Sequence, residues 1–269
     1  TGTLEAAANF LALGMDPEKS VFWVQSDLPE VQELTWILSN FTPMGLLERC
    51  HSYKDKTAKG LAASHGLFAY PVLMAADILM FNGGKIPVGR DQIQHVEMAR
   101  DIAQRFNHNF EDLFTLPEAI VDDSVAVLQG LDGRKMSKSY NNTIPLFLEE
   151  KPLRKAINKI KTNLLEPGEP KDPDESTVFQ VWAAFASESE TERMRDEFAN
   201  GIGWGEAKKQ LFELVNNELA DARVRYRELL NDPEHIERVL QAGAQRARDY
   251  SVPLMEKVRA AVGIGSIVG

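Results

Sequence analysis

Ser20-Val21-Phe22-Trp23-Val24-Gln25-Ser26-Asp27-Leu28-Pro29 is the stretch on which the fold is decided. Ser20 to Gln25 reads as a continuous apolar run, the pattern of a parallel strand buried on both faces. Ser26 or Asp27 then caps a helix over Pro29 to Ser39, with the proline at the helix start. Upstream, Leu4 to Leu13 is a short helix stopped by Gly14. A helix–strand–helix alternation of this kind predicts an α/β layer fold.

Downstream, His65 to Phe81 is helical in pattern, with Pro71 at a start or a kink. Ile86-Pro87-Val88 predicts a short strand, and Gly89-Arg90-Asp91 leads into a helix to about Phe106. Ala119-Ile120-Val121 predicts another short strand. After about Pro145 the character changes. Segments 149–162, 176–199, 205–231 and 233–262 are helix-patterned and charged, without a convincing strand. Glu166 to Pro173 is a linker or an exposed loop. The expected division is therefore an α/β domain over 1–145 and a helical domain over 146–269, whose terminal helix packs back on the first.

The chain has 269 residues, 43% hydrophobic and 26% charged, an ordinary globular composition. No apolar run approaches the roughly 18 residues of a membrane span; the longest candidate, Pro71 to Phe81, is interrupted by Asp77. Cys50 is the sole cysteine, which excludes an intrachain disulfide and a cysteine-based zinc site. A formal charge of −10 argues against a protein that coats DNA, although clustered basic residues still allow local phosphate contacts. The chain begins at Thr1, and its natural N-terminus is expected upstream.

Lys135-Met136-Ser137-Lys138-Ser139 carries the strongest chemical signal. Two lysines three apart straddle small residues, directly after the glycine-punctuated Gly130-Leu131-Asp132-Gly133-Arg134. A mobile loop with two ammonium groups suits a polyphosphate whose charge grows during reaction. Small residues and serine hydroxyls allow close approach to phosphate oxygens. Gly89-Arg90-Asp91-Gln92 sits at a strand end opening a helix, where doubly wound sheets bind ligands. A plain N-cap box explains those four residues equally well.

Asp77 lies in the otherwise apolar Pro71-Val72-Leu73-Met74-Ala75-Ala76-Asp77-Ile78-Leu79. A carboxylate on such a helix needs a partner. That partner is either an arginine elsewhere in the chain or a ligand donor inside an apolar pocket. Met74 shares its face. Residues 49–56 form a polar basic segment ending in Lys56, and 151–161 hold five basic side chains and no acid. Arg154, Lys155 and Lys159 can share a face there, as an RNA phosphate contact or simply a solvated surface. The glycines of 201–205 and 83–84 lack the rest of a nucleotide-binding motif. The histidines show no helical metal-ligand spacing, so no resident metal is expected.

Taken together, Tyr70-Pro71-Val72-Leu73-Met74-Ala75-Ala76-Asp77-Ile78-Leu79, then Pro87-Val88-Gly89-Arg90-Asp91-Gln92-Ile93-Gln94-His95, then Lys135 to Ser139 resemble the bacterial tryptophanyl-tRNA synthetases among the class I aminoacyl-tRNA synthetases. The resemblance extends over most of the chain. It implies a Rossmann-type parallel-sheet catalytic domain followed by an all-helical anticodon-binding domain, assembled as a homodimer. It implies a tryptophan–tRNA ligase that uses ATP, with Mg2+ carried on the ATP, and acts on L-tryptophan and tRNA(Trp). By that resemblance Asp77 reads the indole N–H, with Met74, Ile86 and Val88 around the ring. Tyr70 and Gln92 hold the amino group. Gly89, Arg90, Asp91 and Val127 contact ATP, as do Met136, Ser137 and Ser139 of the loop. Lys56, Lys135 and Lys138 bind the triphosphate, with Ser139 beside them in the catalytic set.

Two departures stand out. The family's His-x-Gly-His-type motif is not in this sequence, and its segment is expected upstream of Thr1. Arg90 stands where relatives often carry an acid. Rival readings are a tyrosyl-tRNA synthetase, a catalytically inactive RNA-binding paralogue and a nucleotidyltransferase making a small-molecule adenylate. The Met74-Ala75-Ala76-Asp77 helix favours tryptophan, and the intact lysine loop opposes an inactive protein. The resemblance also implies a cytoplasmic location, with neither membrane nor DNA as partner.

Overall fold

The computed structural model describes residues 2–50, 53, 54, 58, 60, 62, 64–121 and 128–265. In chain order the helices begin with α1 (Gly2–Ala12), α2 (Pro29–Ser39), α3 (Met44–Glu48) and α4 (His65–Leu79). Strand β1 (Lys85–Pro87), helix α5 (Ile93–Asn109) and strand β2 (Glu118–Ile120) follow. Then come α6 (Glu150–Asn158), α7 (Thr177–Ala183), α8 (Glu188–Ala199), α9 (Trp204–Glu218), α10 (Ala220–Asn231) and α11 (Pro233–Ala261). Contacts group these into two compact units, Thr1–Met15 with Ala126–Ile236 and Asp16–Val125 with Glu237–Gly269.

In the unit holding Asp16–Val125, β1 and β2 pair in parallel, Ile86 opposite Ala119, with α5 as the crossover between them. Parallel neighbours require such a crossover, and the β–α–β unit is the α/β element that the sequence predicts. The ladder continues past β1, where Val88 N–H donates to the Ile120 carbonyl at 3.0 Å. Helix α4 packs against both α2 and α5. It buries Val72, Ala75, Ala76 and Leu79, whose small or branched side chains fit two packed faces. Ser64 caps it, its hydroxyl accepting from Leu67 N–H at 3.2 Å. Pro71 lies inside the helix rather than at its start.

The run Ser20–Gln25 is not a strand of this sheet. Residues 21–24 are irregular backbone, and Gln25–Asp27 close a 3-10 turn. Leu28, not Ser26 or Asp27, stands at the N-cap of α2, with no side-chain cap bond. The physical reason lies in α11. Arg246 donates to the carbonyls of Glu18 at 3.3 Å and Ser20 at 2.9 Å, and also to that of Pro17. Arg248 donates to the Asp27 carbonyl. Guanidinium groups thus satisfy carbonyls flanking the run. Gly243 lets α11 come against the Phe22 backbone, because a side chain there would overlap the Phe22 carbonyl. The ion pair Arg259–Glu33, with bonds of 2.7 and 2.5 Å, ties the end of α11 to α2. That guanidinium holds the Glu33 carboxyl below its usual range. The core here gathers Leu34, Leu38, Leu79, Ile102 and Phe106 with Met255 and Val258 of α11.

The other unit is helical. Its core joins Leu153 and Ile157 of α6, Phe179 and Trp182 of α7, Met194 and Phe198 of α8, and Leu211 and Phe212 of α9. The patterned segment 176–199 is interrupted at Ser187. There a capping box with Glu190 stops the chain from continuing as one helix and starts α8. Helix α1 packs on α10, with Arg225 donating to the Ala12 carbonyl at 3.0 Å. Gly14, at a φ of 100°, ends the turn after α1. That value is open to glycine at no steric cost.

Gly243→Ala is expected to destabilise the protein by roughly 1–3 kcal/mol, because backbone cannot yield as a flexible side chain can. Gly205→Ala on α9, where a methyl meets open space, serves as the control. Thermal melts of the two variants check the difference.

Candidate functional site

Three of the predicted ligand residues project from one helix. Tyr70, Met74 and Asp77 follow at spacings of four and three along α4, so they share a face over about 10 Å of helix axis. All three are half-buried. Ile86 on β1 and Val88 just beyond it are half-buried as well. The chain then turns through Gly89 into a 3-10 turn over Arg90–Gln92, which opens α5. A side chain at Gly89 would crowd the Asp91 carboxylate, 2.9 Å from where its first carbon would lie. Gln92 donates one amide N–H to Asp91 Oδ2 at 3.2 Å, and its amide oxygen can accept from other donors.

Among the described residues Asp77 is paired with neither an arginine nor a lysine. The amide nitrogen of Gln25 lies 2.9 Å from its Oδ1 and 2.7 Å from its Oδ2. A neutral donor satisfies the carboxylate without neutralising it. Burial therefore outweighs the Gln25 bond and pushes the Asp77 carboxyl up from its ordinary 3.8. A carboxylate has about four lone-pair sites, so an incoming N–H can join or replace Gln25. Gln25 is a residue the motif reading misses. Its signal was available: it is the polar residue ending an apolar run, the place where α/β folds bind ligands.

A second constellation surrounds Tyr70. Its hydroxyl lies 2.6 Å from His95 Nε2, and the Cys50 sulfur lies 3.5 Å from that nitrogen and 3.7 Å from the hydroxyl. His95, one turn after Gln92 on α5, is buried. The motif Gln92 to His95 thus places two polar side chains on one face of the helix.

The lysine loop belongs to the other compact unit and has its own scaffold. Gln129 and Lys135 form an antiparallel bridge, and Gly130 N–H donates to the Arg134 carbonyl at 2.7 Å. Gly133 turns at a φ of 80°. Lys138–Tyr140 form a 3-10 turn, with the Ser137 hydroxyl accepting from Ser139 N–H at 3.2 Å and lying 2.8 Å from the Ser139 hydroxyl. Lys135, Lys138 and Ser139 are exposed, and Met136 and Ser137 are half-buried.

Asn142 holds this loop, and no motif points to it. It is 2% exposed, and its amide nitrogen reaches Asp132 Oδ1 at 2.7 Å and the Lys135 carbonyl at 3.2 Å. Its side-chain oxygen accepts from Ser137 N–H at 2.8 Å, and its carbonyl from Leu131 N–H at 2.8 Å. Gly130 is required beside it, since any side chain there would overlap the asparagine. The Asn142 amide, helped by Arg134, holds the Asp132 carboxyl down at about 2. One buried amide therefore clamps the pentapeptide at Lys135 and Ser137 and the turn that precedes it.

Lys56 and Val127 lie outside the described residues. Among the described residues no group of three or more His, Cys, Asp or Glu side chains is placed to hold a metal ion. No helix among them is long and apolar enough to cross a membrane.

With that geometry in view, the chain matches the family model for class I tRNA synthetases (W and Y) over residues 1–220. It belongs to that family. The tryptophan--tRNA ligase of Neisseria meningitidis is 55% identical, over 97% of this chain and 81% of that protein. The enzyme of the same name from Pseudomonas aeruginosa is 52% identical over 98% of this chain, which spans 61% of that longer relative. A crystal structure of tryptophanyl-tRNA synthetase from Campylobacter jejuni, complexed with ADP and tryptophan, superposes with a TM-score of 0.85 at 54% identity. It covers 97% of this chain and 82% of that one. The fold is therefore the Rossmann-type α/β class with a helical domain.

Two tests follow from these networks. Asp77 binds a proton more readily folded than unfolded, so its ionisation removes stability as pH rises from about 3.8 through the raised folded value. Asp77→Asn, which does not ionise, is expected to melt higher than wild type at pH 7, by roughly 2–4 °C for each kcal/mol recovered. The gain should vanish below about pH 4. Asn142→Ala strips the loop of its clamp, leaving buried partners unmet at a cost of roughly 1–3 kcal/mol. It is expected to slow ATP–pyrophosphate exchange while tryptophan affinity measured by calorimetry stays unchanged.

Proposed function

We propose that the protein activates L-tryptophan with ATP, forming tryptophanyl-adenylate, and transfers the tryptophanyl group to tRNA(Trp). The observation that carries this reading is Asp77. It is a carboxylate set among apolar residues of α4 and met, among the described residues, by the neutral amide of Gln25. Such a group is an acceptor at the head of an apolar slot, which suits the indole N–H. Met74, Ile86 and Val88 supply apolar surface for the ring, and Tyr70 and Gln92 supply acceptors for the α-ammonium. Binding to ATP is the expectation for Gly89, Arg90, Asp91 and Val127 and for the loop residues Met136, Ser137 and Ser139.

The chemistry requires no covalent enzyme intermediate. The tryptophan carboxylate attacks the α-phosphorus of ATP, and pyrophosphate leaves with its electron pair. Charge therefore moves onto the departing β- and γ-phosphates. Lys135 and Lys138 follow that charge from an exposed loop, and Lys56 is assigned to the same triphosphate. Magnesium belongs to the bound ATP, where it neutralises phosphate oxygens. A phosphate-binding loop needs its lysines exposed yet its backbone held, and the Asn142 clamp suits both demands.

The helical part, residues 146–269, is assigned to anticodon recognition. The basic face of α6 is narrower than its composition suggests. Arg154 is engaged with Glu150 at 3.6 Å and stacks 3.8 Å over the Phe212 ring. Lys151 and Lys155 are exposed and are the better phosphate ligands. A homodimer acting in the cytoplasm completes the reading. Of the apolar stretch 36–47, Trp36 and Met44 are exposed at 72% and 63%, whereas Ile37, Leu38, Leu46 and Leu47 go into the core. The two exposed side chains are the ones a partner subunit would cover.

Asp77→Ala tests the assignment. Without the carboxylate the bound indole N–H has no acceptor, a loss of roughly 1–3 kcal/mol. Tryptophan activation should weaken, and the preference for tryptophan over its analogue with sulfur in place of the indole nitrogen should narrow by about tenfold or more. Pyrophosphate exchange with both amino acids measures this. An unchanged preference ratio, accompanied by a large drop in melting temperature, would remove Asp77 from the site.

A further inference from the structure

We infer that His95 is a positioning residue that turns Tyr70 into a pure hydrogen-bond acceptor for the α-ammonium of the amino acid. The inference rests on the reading that Tyr70 meets that ammonium, and it adds what makes the meeting favourable. An alkylammonium has three N–H donors and no lone pair. A tyrosine hydroxyl is both donor and acceptor. If its proton points at the ammonium, the contact is repulsive. The proton has to be directed elsewhere before the lone pairs can serve.

The geometry supplies the place. Tyr70 Oη lies 2.6 Å from His95 Nε2, well within hydrogen-bond range, with the two rings 5.5 Å apart and tilted by 44°. In the tautomer with Nε2 unprotonated, that nitrogen can only accept, so the phenol hydrogen must lie on the line between them. His95 is 5% exposed, and Cys50, 1% exposed, flanks the pair. The Cys50 sulfur is 3.5 Å from Nε2, and its S–H is a weaker donor than the phenol at 2.6 Å. Water is thereby kept from offering the nitrogen a competing proton.

Gln92 shows a related arrangement. One amide N–H donates to Asp91 Oδ2 at 3.2 Å, which anchors the nitrogen end of the amide on a carboxylate and leaves its oxygen able to accept from an ammonium. Gln92 stands at the N-cap of α5 and His95 in its first turn, so the start of one helix positions both groups. Such setting lowers the reorganisation needed on binding, which is the general basis of affinity from preorganisation.

The test uses the complete protein and two ligands, L-tryptophan and indole-3-propionate, which keeps the ring and the carboxylate but lacks the ammonium. Calorimetry should show tryptophan weakened roughly tenfold by Tyr70→Phe, with indole-3-propionate unchanged. His95→Phe should do the same, and His95→Gln, whose amide oxygen can accept from the phenol, should restore tryptophan binding. In the Tyr70→Phe background His95→Phe should add no further loss. In pyrophosphate exchange the effect should fall on KM for tryptophan and not on kcat. Nitrogen-15 histidine NMR of the native protein needs no variant to fold, and it should find Nε2 of His95 without a proton. Equal weakening of both ligands, full additivity with Tyr70→Phe, or a protonated Nε2 would each overturn the role of His95. A Tyr70→Phe variant that binds tryptophan normally would instead overturn the reading of Tyr70 itself.

Discussion

Helix α4 has to bury an apolar length against two neighbours while carrying a carboxylate on the same element, and the rest of its unit follows from that constraint. Val72, Ala75, Ala76 and Leu79 are sealed by α2 and α5. Asp77 cannot join them without a donor, and Gln25 provides one without a charge. A paired arginine would have given a more stable but occupied carboxylate. An amide leaves the negative charge in place, at the cost of a raised carboxyl. The opposite end of the same face is held just as firmly, through Tyr70 and the buried His95.

The lysine loop solves a different problem. Two ammonium groups must stay in solvent to meet a moving polyphosphate, so packing cannot hold them. The order comes instead from the backbone behind them. Asn142 bonds to groups at 131, 132, 135 and 137, and Asp132 answers Arg134 with bonds of 3.0 Å and 2.7 Å. A short side chain with both a donor and an acceptor suits this task. An aspartate there would bring a second carboxylate against Asp132, and an alanine would leave the turn without partners. Position and mobility are thereby separated, the first in the buried amide and the second in the lysine stems.

Much of the local structure was legible in residue order. Helix α2 begins at the proline and ends at Ser39 as the pattern predicts, and α4, α5 and both short strands lie where periodicity puts them. The stretch Ser20–Gln25 shows the limit. Its apolar content is that of a buried strand, yet arginines from more than 200 residues away take carbonyls on both sides of it, and a glycine admits the helix that carries them. The run is only partly covered, with Val21 39% exposed and Phe22, Trp23 and Val24 half-buried, because apolar patterning records a tendency to be covered and neither the extent of the cover nor its source.

The site divides along the same line. By itself the sequence determined the types and spacing of the groups that meet a ligand, Tyr70, Met74 and Asp77 on one helix face, Gly89 to Gln92 at a strand end, and the paired lysines of the loop. Helical and strand geometry are local, so residues a few positions apart have their relation set by the chain itself. The tertiary structure alone decided their states. Gln25 reaches Asp77 across 52 residues, and His95 meets Tyr70 across 25. Whether a carboxylate is charged or a hydroxyl accepts depends on what is packed against it. That packing is settled only when segments distant in sequence close into one core.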